Sequence, residues 1–335
     1  MNPCMRRRTF LKGVVGAGGA IAVSPAVAES AANAAGARAR VVLVKPSDRA
    51  EGVRAALAAL ELPSWKGQRL FVKPNCNSAD PFPGSTHPDT MVALCRALLA
   101  GGAAQLSMGD RSGMGETRRV LREKGFTRIA RELGADLHVF DDLPADGWIR
   151  KSVPGSHWTH GFALARPALD ADAIVQTCCL KTHRFGGHFT LSLKNSIGLV
   201  AKRIPGDAHE YMQELHSSPD QRRMIAEVNA AYRPLAVVLD ATEGFADGGP
   251  DRGRRIAPGL ILASTDRVAL DAVGVAILRW FGTTPEVSRG PIFRLDQLAR
   301  AAELGVGVGA ADRIELVAQG AAREEAKRLQ DQLDA

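Results

Sequence analysis

Leu70-Phe71-Val72-Lys73-Pro74-Asn75 is the stretch on which the fold turns. Three successive large apolar residues read as a strand buried on both faces, and the polar Lys73-Pro74-Asn75 brings it to an end. The same pattern repeats outward in both directions. Val41-Val42-Leu43-Val44 reads as a strand and 49–60 as an Ala/Leu helix. A helix over about 87–100, a strand at Gln105-Leu106-Ser107-Met108 and helical segments over about 116–133 follow. Further strands are expected at Leu137-His138-Val139-Phe140, Ala173-Ile174-Val175-Gln176, Ala236-Val237-Val238-Leu239, Leu260-Ile261-Leu262-Ala263 and Ile314-Glu315-Leu316-Val317. Helices near 219–231, 266–281 and 294–303 fill the later gaps. Continuous apolar strands separated by helices predict an α/β fold: a mostly parallel sheet covered by helices on both faces, its strands running one way through right-handed crossovers. No Pro/Ser-rich linker and no repeat divides the chain, so 39–335 is expected as a single large α/β domain.

In an open α/β sheet ligands sit beyond the carboxyl ends of the strands. The residues after each strand are therefore the place to look for chemistry. Lys73 and Asn75 follow the second strand, Gly109-Asp110 the third, Lys181-Thr182-His183 the 173–177 strand, Asp240 the next, and Ser264 with Asp266 the last of the set. Polar residues at five strand ends predict a common site on one edge. Its cations are Lys73, Lys181 and Lys194, with His183 as a titratable neighbour, and its carboxylates are Asp110, Asp240, Asp266 and Asp271. The turn Gly109–Gly115 precedes a helix start near Glu116, where backbone N–H groups can cradle an anion; it matches neither phosphate-loop nor dinucleotide fingerprints. His87, near a helix start, reads as a neutral imidazole suited to act as ligand or base, or as a structural residue. His183 and His188 flank a glycine-containing loop, and with an aspartate they are the candidate metal ligands. Lys194 and Asn195, in Thr190–Gly198, crowd hydrogen-bond donors suited to a carboxylate, phosphate or enolate oxygen; a solvated turn is the plainer reading.

Four cysteines lie beyond the leader: Cys76, Cys95, Cys178 and Cys179. No Cys-x-x-Cys is present, so no iron–sulfur cysteine motif is available. Cys95 falls on an apolar helix face; the vicinal pair Cys178-Cys179 ends a strand, where core and reactive roles both remain open. The formal charge of +7 is partly that of the N-terminus, which holds Arg6, Arg7, Arg8 and Lys12 and no acidic residue up to position 28. The remaining basic residues are interleaved with acidic ones and aromatics are few, which excludes a nucleic-acid-binding reading. Arg7 and Arg8 followed by Thr9-Phe10-Leu11-Lys12, a short Gly/Ala-rich apolar run and Ala26-Val27-Ala28 resemble a twin-arginine signal peptide over 1–28. The apolar run of about ten residues falls short of the roughly 20 needed to span a bilayer. These features predict export to the periplasm by the twin-arginine translocase, no transmembrane anchor after cleavage, and a flexible Ala-rich lead-in over 29–38.

Val72-Lys73-Pro74-Asn75, Thr86-His87-Pro88, Gly109-Asp110, Leu180-Lys181-Thr182-His183, Leu193–Gly198, Asp240 with Gly249-Pro250, and Ala263–Asp271 occur in an order that resembles the domain-of-unknown-function 362 family. The resemblance covers about residues 40–285. It implies an α/β core and a shared site, and no established reaction. Many such relatives carry a ferredoxin-like iron–sulfur module, which this sequence lacks. Three functions fit: an exported enzyme or redox accessory protein using a metal ion or a small anionic substrate, a non-catalytic receptor for a small acidic ligand, or a maturation and docking factor for another exported protein.

Overall fold

The computed structural model describes residues 38–335. The expected signal peptide, with Arg7 and Arg8, and the lead-in up to residue 37 lie outside the described residues. The first half follows β1 (Ala39–Val44), α1 (Arg49–Ala58), β2 (Arg69–Lys73), α2 (Pro88–Ala100), β3 (Gln105–Asp110), α3 (Thr117–Glu123), α4 (Phe126–Leu133) and β4 (Asp136–Val139). Local chemistry places several boundaries. The Asp48 side chain caps α1 by accepting from Glu51 N, and α2 opens with Pro88 at a position where no N–H is needed.

The second half carries β5 (Trp148–Lys151), β6 (Phe162–Ala165), α5 (Arg166–Leu169), the long β7 (Ala173–His183), β8 (His188–Thr190), α6 (Ser192–Asn195), α7 (Tyr211–Ser217) and α8 (Gln221–Val228). It ends with β9 (Ala236–Phe245), β10 (Arg255–Ile256), β11 (Leu260–Ser264), α9 (Arg267–Trp280), α10 (Pro285–Ser288), α11 (Asp296–Glu303), β12 (Ile314–Gln319) and α12 (Arg323–Asp334). The main sheet runs β12-β1-β11-β9-β7-β2-β3-β4, with β8 added to β7 and β10 to β9; β5 and β6 pair separately.

Alternate strand residues supply opposite faces. Val42, Val44, Leu70 and Val72 pack with Val53 of α1 and Leu94 of α2. Val41, Leu43 and Leu239 pack on the other face against Val268 and Leu270 of α9. Further along that face, Phe71 and Ile174 lie under Phe162 of β6 and Ile225 of α8. The sheet is thus mostly parallel and buried on both sides.

Three expectations need correction. β11 pairs antiparallel with both β1 and β9, so its end at Ser264 lies beside Val237, at the start of β9. Asp266 therefore sits at the edge opposite the other strand ends. No α-helix spans 246–259, and without a crossover the chain can only turn back. β7 and β9 also run past their expected ends. Lys181 and His183 lie within β7 because β8 pairs with them, and Asp240 lies within β9, paired with Ile261 of β11 and Cys179 of β7, before β10 carries the strand on to Phe245. Cys178 and Cys179 consequently fall mid-strand and buried, with both thiols raised chiefly by burial. A thiol that cannot ionise is a poor nucleophile or ligand.

Candidate functional site

The ends of β2, β3 and β7, with α6 and the loop after it, enclose a cavity of about 420 Å³. Lys73 reaches it from β2, Asp110 from β3 and Lys181 with His183 from β7; Asn75 follows β2, and Lys194 and Asn195 come from α6. Its floor is a connected polar network. Lys73 Nζ lies 2.9 Å from Asp110 Oδ2 and also donates to Pro74 O (2.6 Å) and Asn195 Oδ1 (3.3 Å). Asp110 further accepts from the backbone N–H of Cys76 and Arg111, at 2.8 and 2.7 Å. Burial pushes Lys73 down and Asp110 up, and their contact opposes both shifts. Asn75 Nδ2 donates to Asn195 Oδ1, while Asn75 Oδ1 accepts from Lys181 Nζ at 2.8 Å; Lys181 also donates to Gly84 O. Gly198 closes over the ion pair, where a Cβ would stand 2.2 Å from Asp110 Oδ1, so any side chain there would displace the pair.

The wall differs. Lys194 Nζ has no partner among the described residues, though only 8% of the residue is exposed. His183 Nδ1 and Thr190 Oγ1 are buried without partners, and all three residues line the cavity. Burial, then the charges of Arg111 and Lys181, push the Lys194 amine down to about 7. Burial, followed by Lys194 and Lys181, holds the His183 imidazole well below its ordinary value and so neutral. Arg111 donates through Nε to Val200 O and through Nη2 to Ile197 O and Met212 Sδ, leaving Nη1 without a partner among the described residues. At the rim Met114 and Phe185 are 46% and 48% exposed, the large apolar side chains left open among the described residues.

Five expected site residues lie outside the cavity. Asp271, on α9, accepts Ser192 N, Ser192 Oγ and Leu193 N at 2.8, 2.6 and 2.9 Å, anchoring the first turn of α6 and thereby aiming Lys194. Burial pushes its carboxyl up to about 7 against those three donors. Asp240 binds Arg49 Nε at 2.9 Å, Thr90 and Thr242, tying β9 to α1 and α2. Asp266 caps α9, accepting from Ala269 N and Val308 N. His87 is the N-cap of α2, accepting from Asp89 N through Nδ1, and is lowered first by burial and next by Arg49. His188 faces His183 in the β7–β8 register but lines a neighbouring groove.

No group of three or more His, Cys, Asp or Glu is arranged to hold a metal ion among the described residues, so the set built on His183 and His188 is not assembled. The cations beside His183 also oppose a metal at that nitrogen. The expected anion cradle at the start of α3 is filled from within: the Glu116 carboxylate accepts Arg118 N and Arg119 N. Sequence reasoning missed Arg111, Thr190, Cys76 and His216. Arg111 stands next to Asp110, and Thr190 opens the segment that carries Lys194; His216, on α7, has no sequence signal of its own.

The family model described as Domain of unknown function (DUF362) matches residues 70–276, and the chain belongs to this family. It is 27% identical over 219 residues to the "Thylakoid-associated protein sll1697" of Synechocystis sp., an alignment covering 64% of each chain. The chain thus matches about 64% of that relative's length. A solved structure, that of the lactate racemase apoprotein from Thermoanaerobacterium thermosaccharolyticum, superposes with a TM-score of 0.42 at 12% identity, covering 69% of this chain and 55% of that one. A likeness that loose carries no argument. No helix among the described residues is long and apolar enough to cross a membrane.

Proposed function

We propose that this DUF362 chain is an exported protein that binds a small organic anion, a carboxylate or phosphate, in the cavity at the ends of β2, β3 and β7, and acts on it there. The observation that carries the reading is the wall: Lys194, His183 and Thr190 line one cavity, the Lys194 amine has no partner among the described residues, and His183 Nδ1 and Thr190 Oγ1 are buried without one. A buried polar group without a partner costs about 1–3 kcal/mol, so two such atoms beside an unpaired ammonium fit a site completed by a ligand. Charge selects the ligand's sign. Lys73, Arg111, Lys181 and Lys194 line the cavity against the single carboxylate of Asp110. In this reading Lys181 and Arg111 hold the anion, Lys194 and His183 face its reacting part, and the Lys73–Asp110–Asn195 floor keeps the cations in place. The recessed position of these groups favours a small ligand over a docking surface for another protein.

The test is a thermal-shift and calorimetric screen of carboxylates and phosphates on mature protein purified without a metal-binding tag. At least one class is expected to raise the melting temperature by ordinary binding linkage, an effect lost in Lys181→Met and Lys194→Met variants that keep native circular dichroism. A folded wild-type protein indifferent to the whole panel would sink the proposal. Export by the twin-arginine translocase through Arg7 and Arg8 is part of the same proposal; replacing both by Lys is expected to leave the protein unexported in a cell-fractionation assay.

A further inference from the structure

Lys194 stands apart from the other lysines of the cavity. Lys73 donates to Asp110, Pro74 and Asn195, and Lys181 to Asn75 and Gly84. Lys194 donates to nothing among the described residues. Its stem passes the bare backbone of Gly187, where a Cβ would lie 2.8 Å from Lys194 Cε and 3.0 Å from His183 Nδ1. An amine stem and an unpartnered neutral imidazole nitrogen therefore meet at one point of the wall. Burial and the nearby Arg111 and Lys181 leave much of this amine neutral just above pH 7. A lysine kept for an ion pair gains by staying charged, whereas a desolvated amine beside other cations is the arrangement of a nucleophile.

The geometry points to Lys194 as the attachment point for a carbonyl compound that also carries a carboxylate, an oxo acid; the inference rests on the anion reading above. The carboxylate lies against Arg111 Nη1 and the N–H of Lys181 that Asn75 and Gly84 leave over, which sets the carbonyl carbon toward Lys194. The Nζ lone pair forms a C–N bond while the carbonyl C–O bond breaks. Both protons of the neutral amine leave with that oxygen as water, giving an imine, so no oxidant or reductant is consumed. His183, neutral and adjacent, relays a proton during the loss of water.

The experiment incubates the mature protein with glyoxylate, pyruvate or 2-oxoglutarate at pH 8, with and without cyanoborohydride. Intact mass and peptide mapping are read with reductant, and the melting temperature without it. The expected result is one reduced adduct per chain on the Lys194 peptide, forming roughly ten-fold faster than on any exposed lysine. It is suppressed by excess propionate, which has no carbonyl to react, and is absent in Lys194→Arg. Mapping of the wild-type protein carries the result should that variant not fold. Adducts confined to exposed lysines, or formed at Lys194 no faster than there, overturn the inference. If the oxo acids stabilise the protein yet leave Lys194 unmodified, the imine fails and the anion site stands. If they neither stabilise nor modify it while other anions also fail, both readings fall.

Discussion

Asp271 and Lys194 are both buried ionisable groups at α6, one anchoring its first turn from α9 and the other carried on it. Asp271 is saturated: a hydroxyl and two backbone N–H groups fill its carboxylate. Lys194 is bare. A saturated buried charge holds the fold together, whereas a bare one weakens the fold until a ligand meets it. The same division separates Asp240 and Asp266, bound to neighbouring elements, from His183 and Thr190, which face the cavity. Proximity to a strand end does not distinguish the two kinds of residue; hydrogen-bond saturation does.

Substitution tests this contrast through the sign of its effect. The largest change is expected for Asp271→Ala, which strands the N–H groups of Ser192 and Leu193 at about 1–3 kcal/mol each in urea denaturation. A loss below about 1 kcal/mol would mean that α6 holds itself in place. Lys194→Met should do the reverse, raising ligand-free stability by about 1–2 kcal/mol at pH 6, since it removes an unpaired buried charge. That advantage should shrink as pH rises. Below about 7 the ammonium is present in folded and unfolded chains alike, and the burial penalty is complete. From there to the free-lysine range near ~10.4 the unfolded chain alone keeps the proton, so wild-type stability climbs by at most about 1.4 kcal/mol per pH unit. A gap independent of pH would show that Lys194 is not desolvated.

Smaller effects are expected at the cavity margin. Cys76 lines the cavity, but its thiol is raised well above the ordinary value, mainly by burial. A disulfide reagent such as Ellman's should leave Cys76, Cys95, Cys178 and Cys179 untouched in the native protein, and labelling within minutes would show that the cavity breathes. The smallest change is expected for Met114→Ser with Phe185→Ser at the rim. Stability should stay within about 0.5 kcal/mol, while affinity for anions carrying an apolar group falls by a few-fold in calorimetry.

Much of this molecule is legible in short stretches of sequence. The runs Val41–Val44, Leu70–Val72 and Leu260–Ala263 became β1, β2 and β11 because β-branched and apolar periodicity is a local property. Lys73, Asn75, Asp110, Lys181, His183, Lys194 and Asn195 do come together, since parallel strands deliver their carboxyl ends to one edge. The reversal of β11 was written only as a missing helix over 246–259, and it carried Asp266 to the far side.

Composition and periodicity were enough to establish the α/β class and to nominate an edge rich in lysine. Tertiary structure alone separated the residues nominated. Whether a buried charge is satisfied depends on donors brought from distant elements, as α6 brings Ser192 and Leu193 to Asp271, and as α1 brings Arg49 to Asp240. Desolvation is equally non-local: Lys194 loses its proton readily only because Arg111, Lys181 and the closed cavity wall surround it, and those neighbours lie 83 and 13 positions away along the chain.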